Sequence, residues 1–286
     1  MESNEIVYHY CSVEAFVEII KNSKLWLSDI LKSNDSNEGI WIRDRIVKDI
    51  KKRLLSIDTD CLEEWEKGYE LNPEFLSSMY AICFSERKDC LSQWRGYAQD
   101  GQGIAIGFSK KYLDEIKLEH LEKPFKLKTF DKIIYDEKEQ DDYIHKIVCE
   151  NINSMDNNGI YHTALEFNTN FLMNFPLCKN PSFEEEQEWR VIIISHPRHQ
   201  TTTSSGEFKF HAPKFRVTSG KIISYIEMDF SKIKNNFIKE IWIGPKSLVT
   251  KNDIQNILAV NGYYENAPYI SVNAPILITN SESSYR

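Results

Sequence analysis

Glu188-Trp189-Arg190-Val191-Ile192-Ile193-Ile194-Ser195 is the most strand-like run in the chain, and its setting decides the fold. Val191 to Ile194 are four consecutive β-branched residues, which favour a strand. Upstream stands an acidic stretch, Glu184-Glu185-Glu186-Gln187. Side chains alternate along a strand, so Glu186, Glu188 and Arg190 are expected on one face, with Gln187 and Trp189 on the other. Two carboxylates and a guanidinium on one face of a central strand are costly to bury unless they pair. Like charges raise one carboxylate's pKa, and Arg190 lowers it. The segment therefore reads in two ways. It is an exposed loop end with an Arg–Glu pair, or it is a carboxylate site that steers a sugar hydroxyl or an oxocarbenium-like centre.

Working outward, Ile6 to Tyr10 reads as a first strand, and Ser12 caps a helix carrying Val13, Phe16, Val17 and Ile20 on one face. Lys24 to Ser28 alternates as a second strand. Asn34 to Asn37 is a turn, followed by a helix from about Ser36 to Leu55. Met79 to Ser85 is a buried strand, Cys90 to Tyr97 a short helix, and Ile104 to Phe108 a strand entered through Gly101-Gln102-Gly103. Phe125 to Tyr135 is β-like. Asp141 to Phe175 reads helical with a break near Asn157-Asn158-Gly159, and His196 to Gly206 reads as a hydrophilic loop. Strands are then expected at Ile222 to Met228, Ile238 to Ile243 and Tyr269 to Val272, with a helix at Asp253 to Val260. No regular βαβ alternation emerges. The expectation is one α+β domain over 1–279, built on a mainly antiparallel or split mixed sheet with flanking helices, and a frayed tail at 280–286.

The composition narrows the function. A chain of 286 residues can bury about 75% of its unfolded surface and needs no covalent staples. Lys and Arg number 35 against 43 Asp and Glu, a net charge of −8 that argues against a wholly basic nucleic-acid binder. No run approaches the roughly 18 apolar residues of a membrane span. The polar start Met1-Glu2-Ser3-Asn4-Glu5 lacks the pattern of a secretory signal. Six cysteines without C-x-x-C spacing suit reduced thiols, so a cytoplasmic setting is expected, with no membrane partner. No G-x-G-x-x-G opens a helix after a strand, which leaves a Rossmann site unsupported.

Other constellations stand out. His9 lies between Tyr8 and Tyr10, either as a satisfied core histidine or as a partner for a ligand hydroxyl. Cys83-Phe84-Ser85-Glu86 is followed by Gln93-Trp94-Arg95-Gly96-Tyr97. Trp94 and Tyr97 form a core stripe there, or they stack on a planar ring beside an arginine. Arg43, Arg45, Lys48, Lys51, Lys52 and Arg53 decorate one helix as a solvated face or a phosphate contact. His196 and His199 make a poor metal pair with no nearby carboxylate, and no metal is expected.

Taken in order, these segments resemble a family of mostly bacterial proteins catalogued as domain of unknown function 2971. The residues that carry the likeness are Tyr8-His9-Tyr10, Lys24 to Ser28, Asn34-Asp35 with Glu38, Cys83 to Glu86, Trp94, Tyr97, Gly103 to Phe108, Glu186 to Arg190, Ile222 to Glu227 and Ile241 to Pro245. In the turn, Ser36 replaces the family's proline. A more distant similarity is to ADP-ribosyltransferases: a strand with His, a strand ending in Ser, and E-x-E opening a later strand.

That resemblance implies an ADP-ribosyltransferase-like fold and NAD as substrate. His9 would hold the dinucleotide, and Ser85 would support the nicotinamide ribose. Trp94 or Tyr97 would stack on nicotinamide. Glu188 would be catalytic, and Glu186 would position the acceptor, a protein or a nucleic acid. Arg190 either contacts the dinucleotide or pairs with Glu188. The implied activity is ADP-ribose transfer or NAD hydrolysis, with a toxin or anti-phage effector as a natural setting. Two other classes stay open: a non-catalytic binding module whose E-Q-E-W-R segment is an ion-pair network, and a metal-dependent nuclease using the basic helix with Asp35 and Glu38.

Overall fold

The computed structural model describes residues 6–30, 45, 48–49, 51–52, 79–116, 130–153, 175–194, 202–218, 220–263 and 276–285. Twelve strands among them form one sheet: β1 (Ile6–Cys11), β2 (Lys24–Asp29), β3 (Met79–Ser85), β4 (Ile104–Ser109), β5 (Phe130–Lys132), β6 (Glu188–Ile194), β7 (Thr203–Ser205), β8 (Phe208–Phe210), β9 (Lys214–Thr218), β10 (Lys221–Asp229), β11 (Ile238–Ile243) and β12 (Leu277–Asn280). Six α-helices accompany them: α1 (Val13–Asn22), α2 (Leu91–Tyr97), α3 (Lys110–Asp114), α4 (Glu137–Asn153), α5 (Lys234–Phe237) and α6 (Lys251–Val260). The fold is α+β. None of the described helices is long and apolar enough to cross a membrane.

The main path through the sheet runs β12-β11-β4-β1-β3-β2-β10-β8-β7, with β6 laid on β3, β5 on β6 and β9 on β10. Only β11–β12 is parallel among these pairings. The sheet splits at β3. One edge of β3 pairs with β6 over its full length, from Met79↔Ile194 to Ser85↔Glu188. The other edge is shared: Tyr80 and Ala81 face β2, while Ser85 alone faces Tyr8 of β1. A fork opens between β1 and β3, and His9 fills it by donating from Nδ1 to the Cys83 carbonyl at 2.9 Å. That bond gives the carbonyl the partner that the single β1–β3 rung does not supply.

Parity along the strands sorts the side chains. Phe84 and Ile82 of β3, Val191 and Ile193 of β6, and Phe108 of β4 enter the main core with Phe208, Phe230 and Phe237. Helix α1 closes that core with Phe16, Ile19 and Ile20, capped by Ser12, whose Oγ accepts from Ala15 N at 3.1 Å. Helix α6 adds Ile254 and Leu258 behind a Thr250–Asp253 capping box. Elsewhere Tyr8, Tyr10 and Trp242 pack with Trp94 of α2, and Ile133, Tyr135, Leu177 and Ile192 form a smaller cluster.

Several boundaries differ from the sequence reading. The run read as a loop over His196 to Gly206 contains β7, whose two-residue turn Gly206-Glu207 leads into β8; Gly206 has a φ of 56°. Polar Thr and Ser disguised a hairpin that glycine permits. Helix α4 begins at Glu137 rather than Asp141, since Asp136 Oδ1 caps it through Glu139 N at 2.9 Å. Residues 281–285, expected as a frayed tail, instead hold partners. Ser281 N donates to Ile243 O (2.8 Å), Ser281 Oγ and Glu282 N donate to Asp89 (2.7 and 2.8 Å), and Tyr285 OH donates to Asp100 (2.7 Å). The turn at Asn34 to Glu38, most of the helix over Ser36 to Leu55, the histidines at 196 and 199, and the strand expected at Tyr269 to Val272 lie outside the described residues.

Candidate functional site

The site forms where the fork meets the start of β6. A 3₁₀ turn, Pro181–Glu186, precedes that strand; Asn180 caps it by accepting from Ser182 N at 3.0 Å. Gln187 then adopts a left-handed conformation (φ 45°, ψ 54°) and redirects the chain into β6. Glu186 therefore lies outside the strand, contrary to the simple alternation expected of it. Both carboxylates nonetheless converge, because a buried lysine joins them. Lys179 Nζ lies 2.6 Å from Glu186 Oε2 and 3.1 Å from Glu188 Oε2.

Arg190 completes the group. Its Nε donates to Glu188 Oε1 at 2.6 Å, its Nη2 to Glu188 Oε2 at 3.1 Å, and its Nη1 to the Pro176 carbonyl at 2.8 Å. Lys179, Glu186, Glu188 and Arg190 are all buried, and their formal charges balance. Burial without such pairing would cost several kcal/mol per ion. The surroundings hold the four groups in place. Gln140, fully buried, donates to the Lys179 carbonyl at 2.7 Å, and Tyr135 OH accepts from Glu188 N at 3.1 Å. On the solvent side, the exposed ring of Tyr97 reaches inward and its hydroxyl donates to Glu186 Oε1 at 3.1 Å.

Two carboxylates two residues apart thus acquire opposite proton affinities. Burial would raise both. At Glu188 the Arg190 guanidinium, followed by the Lys179 ammonium and a hydrogen bond involving Cys83, outweighs burial and holds the carboxyl well below its ordinary range. At Glu186 burial wins; Lys179 and Tyr97 oppose it, the Glu188 charge adds to it, and the carboxyl sits above its ordinary range. Burial also raises the Tyr97 phenol, with the Glu186 and Glu188 charges adding to the rise and Lys179 opposing it. His9 is lowered by burial, partly offset by the Cys83 carbonyl, and so favours a neutral ring with Nδ1–H donating and Nε2 as its acceptor.

A cleft of about 50 Å³ opens onto this group, lined by His9, Cys83, Gln93, Tyr97, Glu186 and Glu188 among others. Four residues expected at the site therefore share it: His9, Tyr97, Glu186 and Glu188. Three others do not line it. Ser85 is buried, and its hydroxyl donates to the Glu186 carbonyl at 2.6 Å while accepting from Arg87 N, which ties β3 to the 3₁₀ turn. Trp94 is fully buried edge-on against Tyr10, with Nε1 donating to Asp89 at 2.6 Å, so its ring faces no ligand. Arg190 points into the protein and spends its donors on Glu188 and Pro176.

Lys179, Tyr135 and Gln140 escaped the sequence reading. The only signal for Lys179 was a lysine between Leu177-Cys178 and Asn180-Pro181, where no strand or helix period marks a buried position. Among the described residues, no group of three or more His, Cys, Asp or Glu side chains is arranged to hold a metal ion. The basic helix is seen at Arg45, which donates to Gln140 Oε1 at 2.6 Å and pairs with Asp141, so this cation is committed to α4.

Residues 93–191 match the family described as Protein of unknown function (DUF2971). That span runs from α2 through Lys179 to the first half of β6 and includes every charged member of the buried group. No curated protein and no solved structure matches the chain.

Proposed function

We propose that the protein cleaves the nicotinamide–ribose bond of NAD and passes the ADP-ribosyl group to an acceptor hydroxyl or to water. The observation that carries this reading is the convergence of His9, Tyr97, Glu186 and Glu188, from four separate elements, on one cleft. Bond cleavage of this kind needs positioning and an anion beside a developing positive charge. Glu188, held ionised by Arg190 and Lys179, supplies the anion. As the C1′–N bond breaks, its electron pair leaves with nicotinamide and quenches the pyridinium charge. The acceptor oxygen then bonds C1′, and its proton passes to Glu186. A carboxyl displaced upward from its usual range is the better base near neutral pH, and paired carboxyls pushed apart in this way are how acid–base roles divide.

The cleft is smaller than the roughly 300 Å³ of an ordinary ligand pocket, so this reading requires Tyr97 to swing off Glu186 when substrate enters. The test is nicotinamide release from NAD by the purified protein beside Glu188→Gln. Release that falls at least about 100-fold in the variant supports the proposal. Absence of both release and calorimetric NAD binding overturns it.

A second reading has one specific observation behind it. Both Glu188 oxygens are already engaged by Arg190, as in a structural ion-pair network. A non-catalytic binding module is the function left if NAD binds without release, or if neither occurs.

A further inference from the structure

The cleft's lid is α2, which contributes Gln93 and Tyr97. Both ends of this short helix are fastened by the C-terminal segment. Before the helix, Asp89 accepts through Oδ1 from Trp94 Nε1 and from Ser281 Oγ, and through Oδ2 from Glu282 N. After the helix, Asp100 accepts from Tyr285 OH at 2.7 Å and from Lys246 Nζ at 2.8 Å. The Tyr285 ring also lies 3.9 Å from Lys246 Nζ and 5.9 Å from the Arg95 guanidinium.

The chain between these ties is strained. Gln99 and Asp100 have φ values of 50° and 56°, in a region that non-glycine residues seldom occupy. Two successive residues stay there only while their surroundings over-determine them. The surroundings of Asp100 are Tyr285, Lys246 and Arg95. Arg95, Asp100 and Tyr97 are exposed, and each contact of this kind is individually weak. The side chains of Gln99-Asp100 are thus held by several releasable bonds, while α2 before them is anchored in the core by Trp94 and Ala98.

We infer that the segment Ser281–Tyr285 is a latch on the end of α2, and that its release lets Gln99-Asp100 relax and the Tyr97 end of the helix swing off the cleft. This regulates the cleft proposed above as the NAD site, and for substrate access it rests on that reading; the latch itself does not. It also accounts for a cleft too small for a nucleotide while the latch is closed.

The test compares the unaltered protein with the double variant Ser281→Ala/Tyr285→Ala by residue-resolved amide hydrogen exchange, alongside NAD calorimetry. The latch predicts at least tenfold faster exchange at Tyr97 and Ala98, at the end of α2, with Ile104 and Ile106 of β4 unchanged. If NAD binding also tightens, both proposals gain. Faster α2 exchange without NAD binding keeps the latch and counts against the NAD site. Unchanged α2 exchange overturns the latch whatever NAD does. Acceleration that reaches β4 equally also overturns it, because the segment would then be part of the global fold.

Discussion

The two faces of the β3–β6 ladder share one backbone and seven residue pairs, yet they are built on opposite principles. One face sends Ile82, Phe84, Val191 and Ile193 into the aromatic core, where Phe84 meets Phe108 edge-on at 5.8 Å. The other carries Glu188 and Arg190, joined by Lys179 and Glu186. On the apolar face, stability is spread over many weak contacts. On the charged face it rests on a few charge-assisted bonds, each of which leaves a buried charge exposed to the others if it is lost. Such an arrangement adds little to stability compared with a hydrophobic filling.

The largest expected effect tests the apolar face. Phe84→Ala should destabilise the protein by about 4 kcal/mol in urea unfolding, through lost burial and the cavity left behind. Arg190→Met comes next, at about 3 kcal/mol, because Glu188 loses its strongest partner. Its distinguishing signature is partial rescue: Arg190→Met with Glu188→Gln should cost less than the two single changes summed. Strict additivity would mean that the charged face behaves like the apolar one, and the contrast would be gone.

The smallest effect separates the two carboxylates. Glu188 is held below its ordinary value of 4.5, so its contribution is complete above that value and fades as the pH falls below it. Glu186 is held above 4.5, so its contribution is complete below that value and fades as the pH rises through its folded value. Glu186→Gln should therefore change stability by less than about 1 kcal/mol in acid and flatten the decline toward neutral pH. Glu188→Gln should flatten the acid limb instead. Denaturation measured across both limbs checks the signs; identical pH profiles for the two variants would sink the assignment.

The apolar face was legible in the sequence because a period of two survives in Met79 to Ser85 and a continuous β-branched run follows Arg190. His9, Glu186, Glu188 and Tyr97 were also legible, as polar or amphipathic residues set against apolar runs. Lys179 was not, because it reaches the site from an irregular segment whose partner, Gln140, lies 39 residues away. Trp94 misled for a related reason: a helix of seven residues turns Trp94 into the core and Tyr97 over the cleft, and sequence spacing alone does not say which way it rolls. Gln187 was invisible as a kink, since nothing in its chemistry demands a left-handed backbone.

The narrowest join in the sheet has a mechanical meaning. β1 meets β4 over six residue pairs and β3 meets β6 over seven, but β1 meets β3 only at Tyr8↔Ser85. A ladder resists shear in proportion to its rungs, so at the β1–β3 join the sheet relies on one rung, the His9–Cys83 bond and the core beneath it, where Phe84 meets Phe108. That seam in the backbone ladder runs beside Glu186 and Glu188.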